Sequence, residues 1–251
     1  MKVADGVEMF ELAAALMSGP GNLYPTLLWD QEEAVLVDAG LPGMASQFIN
    51  AIKQAGVSPG KLKRVIITHH DLDHLGSLRD LLEMAPNPFA ILAHADEVPY
   101  IQGERIPVKM TPKMMSRMEE QMKGMPKEQL QEMRTMMESI GKQKLKVDLA
   151  LGDREELPCC GGIQIIHTPG HTPGHISLYH RESKTLVAGD LLFVEKGKLL
   201  PAPSFINADT SMAMASIQKL SAYDIANVIA YHGGLFRDNP NQRLKEITQS
   251  A

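Results

Sequence analysis

The chain has 251 residues, of which 44% are hydrophobic and 22% charged, and its formal net charge is −5. This is ordinary globular composition, so we expect a single domain over residues 1–251. The acidic balance, without a basic stripe interleaved with aromatic residues, excludes a nucleic-acid-binding protein. No apolar run approaches the ~20 residues that span a bilayer, and the stretch 12–17 is too short for a signal sequence, so we expect a cytoplasmic protein. The only cysteines, Cys159 and Cys160, are adjacent, which excludes a disulfide framework.

The first forty residues have the pattern of β-strands. We predict strands at 7–17, 24–29 and 34–37, with turns at 19–22 and 30–33. Asp38 follows the third strand, and a helix is predicted at 45–55. An aspartate at this position is suited to cap the helix that follows.

A dense cluster of polar side chains follows the apolar run 65–67. A β-branched run that ends in polar residues indicates a buried strand that enters a loop. Between residues 68 and 76 lie three imidazoles and two carboxylates, namely His69, His70, Asp71, Asp73 and His74. Each can give a divalent cation a nitrogen or oxygen ligand. The alternative is a solvated, charged turn, but without a partner the carboxylates would repel each other.

Residues 75–85 have helical character, and 89–93 has the pattern of a short strand. The segment 103–146 then changes in character, because it holds nine of the sixteen methionines. Two helices are predicted in it, at 111–124 and 126–141. Met114, Met118 and Met122 recur every four residues and form an apolar stripe.

This helical hairpin has three interpretations. It packs on its own domain, it forms the seam of a homodimer, or it is a lid whose methionines line an apolar substrate pocket. The segment carries a net charge of +4, which leaves −9 for the rest of the chain. A basic segment over an acidic site would favour an anionic substrate, unless its lysines are simply a solvated face.

The second half of the chain delivers further imidazoles and carboxylates after predicted strands. Strands are predicted at 163–167, 175–180 and 185–188, and a helix at 209–220. His171 and His175 lie in the loop 168–175, Asp190 follows the run 187–189, and His232 follows the run 228–231. Together with the cluster after 65–67, this arrangement predicts a metal centre built from four strand-to-loop junctions.

Here the chain resembles the metallo-β-lactamase-fold hydrolases, whose motifs are Thr-His-x-His-x-Asp-His-x-Gly, Thr-Pro-Gly-His-Thr-x-Gly-His, Gly-Asp and a late His-Gly. The resemblance implies an α/β fold, a four-layer αββα sandwich, into which 103–146 is inserted. It also implies two divalent cations held by seven ligands. The first cation would be held by His69, Asp71 and His171, the second by Asp73, His74 and His232, with Asp190 bridging the two. Asp38 and His175 would support these ligands through hydrogen bonds, which for Asp38 is an alternative to capping the helix.

The departure from the family pattern is Asp71, where histidine is usual. An anionic oxygen donor moves metal preference from zinc, the first expectation, towards manganese or iron. The first site could instead be vacant. His70 is interpreted as an exposed residue, or as one that supports the site without binding metal.

The resemblance implies hydrolysis of an ester, lactone or thioester by a metal-bound hydroxide, with Asp73 and Asp190 as catalytic residues. Tyr231, beside His232, is a candidate oxyanion donor and substrate contact. The substrate would be a small molecule, anionic or with an apolar acyl chain. Asp71 motivates an alternative, an iron-dependent oxidoreductase of the same fold. A binding module without activity is a third reading.

Overall fold

We describe a computed structural model, which covers residues 1–16, 19–121, 135 and 145–249. The strands are β1 Lys2–Ala4, β2 Val7–Met9, β3 Leu12–Leu16, β4 Gly19–Leu23, β5 Thr26–Trp29, β6 Ala34–Val37, β7 Leu62–Ile67, β8 Ala90–His94, β9 Leu149–Leu151, β10 Glu156–Leu157, β11 Ile163–His167, β12 Ile176–His180, β13 Thr185–Val187, β14 Leu192–Glu195, β15 Lys198–Pro201, β16 Asn227–Ala230 and β17 Gly234–Phe236. The helices are α1 Ala45–Gln54, α2 Leu72–Leu75, α3 Leu78–Met84, α4 Val98–Ile101, α5 Pro112–Gln121, α6 Thr210–Lys219 and α7 Pro240–Gln249.

The strands form two large sheets and two hairpins. The first sheet has seven strands in the order β1-β2-β5-β6-β7-β8-β9, and strands β6 to β9 run parallel to one another. The second sheet has six strands in the order β10-β11-β12-β13-β16-β17, with β13 and β16 parallel. The hairpins are β3-β4 and β14-β15.

The buried side chains form three apolar layers, which separate four layers of secondary structure. Ile66 from the first sheet and Ile165 from the second share the layer between the sheets. Phe48 of α1 packs against the outer face of the first sheet, and Ile217 of α6 packs against the outer face of the second. The αββα sandwich expected from the resemblance is therefore confirmed.

Most predicted elements are present, but the N-terminal pattern was misinterpreted. The strand predicted at 7–17 is two strands, β2 in the large sheet and β3 in a hairpin. The turn predicted at 19–22 is part of β4, in which Pro20 lies opposite Ala15. A two-stranded hairpin has unpaired edges, so a proline without an N–H group is tolerated there.

The inserted segment is partly described. Helix α5 begins at Pro112, one residue after the predicted start at 111. The second predicted helix, at 126–141, lies outside the described residues apart from Thr135. The extent of the insertion and its role as lid or dimer seam therefore stay predictions. Among the described helices, none is both long and apolar enough to cross a membrane.

Candidate metal centre

The predicted ligands meet at one edge of the sandwich, where strands from both sheets end. His69 and the short helix α2 follow β7, and Asp190 follows β13. His171 follows β11, and His232 follows β16. Parallel neighbours end at the same edge of a sheet, which explains why residues far apart in sequence converge.

The first cluster is centred on the carboxylate of Asp71. Its Oδ2 lies 3.1 Å from His69 Nε2 and 3.0 Å from His171 Nε2. Asp190 Oδ2 lies 3.6 Å from His171 Nε2. All four side chains are buried, and their donor atoms lie within 4.8 Å of one another. Asp71, where the family usually has histidine, is therefore inside the cluster.

The second cluster contains Asp73, His74 and His232. His232 Nε2 lies 3.2 Å from Asp73 Oδ2 and 3.4 Å from Asp190 Oδ2. His74 Nε2 lies 3.3 Å from Asp190 Oδ1 and 3.8 Å from Asp73 Oδ2. Asp190 thus contacts both clusters, and the structure brings together all seven side chains predicted as ligands.

Hydrogen bonds behind the histidines orient their rings. His74 Nδ1 lies 2.9 Å from Asp38 Oδ2, a carboxylate that only accepts, so Nδ1 carries the proton. Thr68 donates its hydroxyl to Asp38 and lies 3.0 Å from His69 Nδ1. His171 Nδ1 lies 3.3 Å from Asn207 Oδ1. Each Nε2 is therefore left to face the carboxylates, as a metal-binding histidine requires.

Asp38 supports the ligands and does not cap a helix. Its Oδ1 accepts a hydrogen bond of 2.8 Å from the backbone N–H of Thr68. Helix α1 begins at Ala45, seven residues after Asp38, and its N-cap is Met44, without a side-chain capping hydrogen bond. The capping interpretation is wrong, and the interpretation taken from the resemblance agrees with this geometry.

The charges of the two clusters attract cations. Burial favours the neutral imidazole of His232, but Asp190 and Asp73 outweigh it and raise its pKa to about 10. Burial likewise opposes protonation of His74, yet Asp38 and Asp190 raise the pKa of His74 well above its ordinary value. A group of carboxylates that holds protons this strongly also favours a divalent cation.

The donor set fits a bound metal ion. His74 Nε2 and Asp190 Oδ1 are buried polar atoms without a hydrogen-bond partner in the described residues, although they face each other. Such atoms are costly to bury unless something binds them. Nitrogen and oxygen donors of this kind suit zinc, manganese or iron.

His175 connects the loop 168–175 to Asp190 through hydrogen bonds. Its Nδ1 lies 2.9 Å from the hydroxyl of Thr168, and its Nε2 accepts a hydrogen bond of 3.0 Å from the backbone N–H of Asp190. Burial lowers the pKa of His175 to about 3, so the ring stays neutral. The predicted supporting role agrees with this geometry.

The glycine before Asp190 is required by this contact. Gly189 has a φ of +56°, and a Cβ on it would lie 2.6 Å from His175 Nε2. Only glycine adopts this conformation without strain and leaves room for the ring.

Glu97 is a site residue that the sequence analysis missed. Its side chain is fully buried, and its carboxylate accepts hydrogen bonds from the N–H of His70 at 2.9 Å, the hydroxyl of Thr172 at 2.6 Å and the N–H of Gly174 at 2.8 Å. It therefore ties the loop after β7 to the loop after β11. A lone glutamate after a strand carries no spacing signal by which the sequence could reveal this role.

His70 is buried, so its interpretation as an exposed residue is wrong. Its Nδ1 contacts Glu97, and its ring stacks on Tyr100 with centroids 4.3 Å apart. Its Nε2 accepts a hydrogen bond of 3.1 Å from the N–H of Val108. His70 lies outside both clusters and links them to the start of the inserted segment.

One predicted substrate contact, Tyr231, differs from expectation. The hydroxyl of Tyr231 donates to the carbonyl of Asp73 at 2.5 Å, and the side chain is only 3% exposed. Because this hydroxyl is buried and already donates a hydrogen bond, the prediction that it is an oxyanion donor is wrong. It instead binds the backbone of α2 through Asp73. Met114 is buried at 4% exposure, whereas the side chain of Met118 and all of Met122 lie outside the described residues.

A cavity of about 240 Å³ adjoins the second cluster. His232 and Gly233 lie at one end of it, and the remaining lining is mostly apolar. The lining residues are Asn22, Phe193, Val194, Glu195, Leu200, Pro201, Pro203, His232 and Gly233. Met114 does not line this cavity, so the methionine-lined pocket stays a prediction.

An αββα sandwich with histidines and aspartates gathered at its strand ends defines the class of metal-dependent hydrolases. The family model of the metallo-beta-lactamase superfamily matches residues 18–232, and the chain belongs to this superfamily.

Curated relatives agree with this assignment, and a solved structure shares the fold. The chain is 29% identical over 210 residues to the probable metallo-hydrolase YflN of Bacillus subtilis, covering 79% of this chain and 75% of the relative. It is 27% identical to the hydroxyacylglutathione hydrolase GloC of Haemophilus influenzae, over 83% and 84% of the two chains. It is 24% identical to an N-acyl homoserine lactonase of a Bacillus species, over 80% and 78%. The crystal structure of a metallo-beta-lactamase family protein from Thermus thermophilus superposes with a TM-score of 0.71 at 21% identity, over 99% of this chain and 80% of that one.

Proposed function

We propose that this protein is a zinc-dependent hydrolase that cleaves an ester, lactone or thioester bond of a small molecule. The observation that carries the proposal is the contact of Asp190 with both clusters. Of its two oxygens, Oδ2 lies 3.6 Å from His171 Nε2, and Oδ1 lies 3.3 Å from His74 Nε2. A carboxylate so placed would serve as a ligand to a cation held in either cluster.

The residues that would hold the two cations are those of the two clusters. The first would be held by His69, Asp71 and His171, and the second by Asp73, His74 and His232, with Asp190 shared. When bound, such cations activate a water molecule as nucleophile and polarise the bond to be cleaved.

Asp73 is the candidate proton carrier of the reaction. Its side chain is 25% exposed, whereas Asp190 is 4% and Asp71 7% exposed, so Asp73 lies at the open side of the site. Burial opposes its ionisation, but His74 and His232 outweigh it and lower the pKa of Asp73. An ionised, accessible carboxylate accepts a proton from the attacking water and returns it to the leaving group.

The cavity beside His232 supports a substrate with an apolar portion. His232 is 20% exposed, so the second cluster opens towards this cavity. Phe193, Leu200 and Pro201 would pack against an acyl chain while the bond to be cleaved lies at the cations. In sequence the segment 103–146 carries a net charge of +4, and placed over the site this charge would favour a substrate with an anionic group.

The names of two relatives agree with this range of substrates. One is a hydroxyacylglutathione hydrolase and another an N-acyl homoserine lactonase. Both names describe acyl compounds, so a panel for this protein should include lactones with acyl chains of different length and glutathione thioesters.

The experiment is hydrolysis of p-nitrophenyl esters, acyl lactones and glutathione thioesters by protein whose metal content is measured. We expect turnover that chelators abolish and that zinc restores. Asp190→Ala and Asp73→Asn should each remove most of it. Asp224→Asn, on the surface in an ion pair with Lys184, is the matched control and should retain full activity. Hydrolysis that survives both chelation and Asp190→Ala would refute the proposal.

The burial of Asp71 in the first cluster favours a second candidate, an iron-dependent oxidoreductase. Protein purified with bound iron, which consumes oxygen with a reductant and cleaves none of the panel, would support that function instead. A chain that retains no tightly bound metal would support the third reading, a binding module.

A further inference from the structure

The first cluster contains a cationic side chain of the protein itself. Lys109 Nζ contacts Asp71 Oδ2, and the lysine side chain is 16% exposed. The same oxygen lies 3.1 Å from His69 Nε2 and 3.0 Å from His171 Nε2. The ammonium group therefore binds the oxygen that these two histidines share as a neighbour.

A buried network holds Lys109 in this place. The lysine lies in a short 3₁₀ turn, Val108–Met110, whose first N–H donates to His70 Nε2 at 3.1 Å. His70 is in turn held by the buried carboxylate of Glu97. The backbone next to Lys109 is thus hydrogen-bonded to His70, in the stretch 68–76. This bond keeps the lysine side chain close to Asp71.

The two clusters differ in this respect. Within the described residues, Lys109 with Asp71 is the only ion pair between a lysine or arginine and a carboxylate of the two clusters. Asp190 and Asp73 also attract the ammonium group of Lys109, but less strongly than Asp71 does. An ammonium group carries no lone pair, so it cannot act as a ligand beside a metal ion. It occupies a lone pair of Asp71 and repels a second cation at short range.

We propose that Lys109 is a built-in cation that competes with metal for the first cluster, so that this chain holds one metal ion tightly, in the second cluster, and the other weakly. The inference rests on the proposed function only in requiring that the clusters bind metal; it does not depend on which bond is cleaved.

The test is zinc binding by chelator-stripped protein, measured by competition with a chromophoric chelator and by elemental analysis after dialysis. We expect wild type to bind one zinc ion per chain tightly and a second weakly. Lys109→Met removes the charge and keeps most of the volume, and should tighten the weak site about tenfold or more. Lys109→Arg keeps the charge and should resemble wild type.

Lys113→Met is the matched control, because Lys113 is an exposed lysine of the same segment. It should leave both sites unchanged. His171→Ala should leave the tight site intact, since it belongs to the first cluster, whereas His232→Ala should abolish it.

Several outcomes would overturn the inference. If wild type binds two zinc ions equally tightly, it fails without any variant, even should Lys109→Met not fold. If Lys109→Met leaves the weak site unchanged or weakens it, the lysine only holds Asp71 in place. If wild type binds no zinc at all, both the inference and the proposed function fail. Two equally tight sites would refute the inference alone, so the two failures are distinguishable.

Discussion

Glu97→Gln tests the contact between the two metal-binding loops. The carboxylate accepts four hydrogen bonds, two on Oε2 from the N–H and Nδ1 of His70 and two on Oε1 from Thr172 and Gly174. Glutamine keeps one accepting oxygen but turns an NH2 group towards the other two donors. Two buried, charge-assisted hydrogen bonds are then lost, so we expect the free energy of unfolding to fall by about 3 kcal/mol. For a chain of this length that corresponds to a decrease of about 10 °C in Tm.

Urea unfolding of chelator-treated protein is the assay, because bound metal would add its own contribution to stability. Glu83→Gln on the exposed side of α3 is the matched control and should change little. A loss below about 1 kcal/mol for Glu97→Gln would refute the reasoning, since it would mean that the donors find other partners.

The pH dependence gives an independent check. Burial opposes ionisation of Glu97, but His70, Thr172 and Gly174 hold its pKa below the ordinary value of 4.5. A carboxyl whose pKa is lowered by folding stabilises the protein above the unfolded pKa, and this contribution is lost as pH falls through the folded value. Wild type and Glu97→Gln should therefore converge in stability on acidification from pH 4.5 downwards. A constant difference would contradict the linkage.

Three further predictions concern the metal centre. Asp38→Asn removes the carboxylate behind His74 and should weaken zinc binding about tenfold or more in chelator competition; unchanged affinity would contradict that role. Because the pKa of His232 is raised to about 10, its imidazole is protonated at neutral pH without metal. Zinc affinity should therefore rise with pH towards that value, with proton release visible as a buffer-dependent enthalpy in calorimetry; an enthalpy independent of the buffer would contradict this. Gly189→Ala should lower the free energy of unfolding by about 2 kcal/mol or more in urea titrations, against about 1 kcal/mol for Gly43→Ala. Both glycines have positive φ, but a Cβ at Gly43 meets nothing within 4 Å, so equal losses would show that crowding is unimportant.

Much of the site could be predicted because its ligands lie in short motifs at strand ends. The stretch 68–76 is compact enough for spacing alone to indicate a metal, and the end of β16 predicted the place of His232. Strand β6 was predicted with its observed bounds because it is a short, apolar run between polar residues, and β11 because its isoleucines lie between a glycine and a polar loop. Local patterns suffice where a feature depends on neighbours in sequence.

Other features depend on contacts between distant residues and left no local pattern. Glu97 acts on residues 27 and 75 positions away, and Lys109 reaches back to Asp71. The hydroxyl of Tyr231 donates a hydrogen bond to a carbonyl 158 positions earlier in the chain. The residues next to Tyr231 in sequence do not indicate this contact. The division of 7–17 into two strands likewise follows from which sheet each part joins.

The division of ligands between the two sheets has a consequence for the whole sandwich. His69 and His74 come from the half built on the first sheet, and His171 and His232 come from the half built on the second. A cation held between them would cross-link the two halves. This cross-link would be lost when the halves separate. Resistance to unfolding would then depend on the free metal concentration, gaining about 2.7 kcal/mol at one hundred times the dissociation constant. At low metal concentration the free energy of unfolding would therefore fall together with the activity.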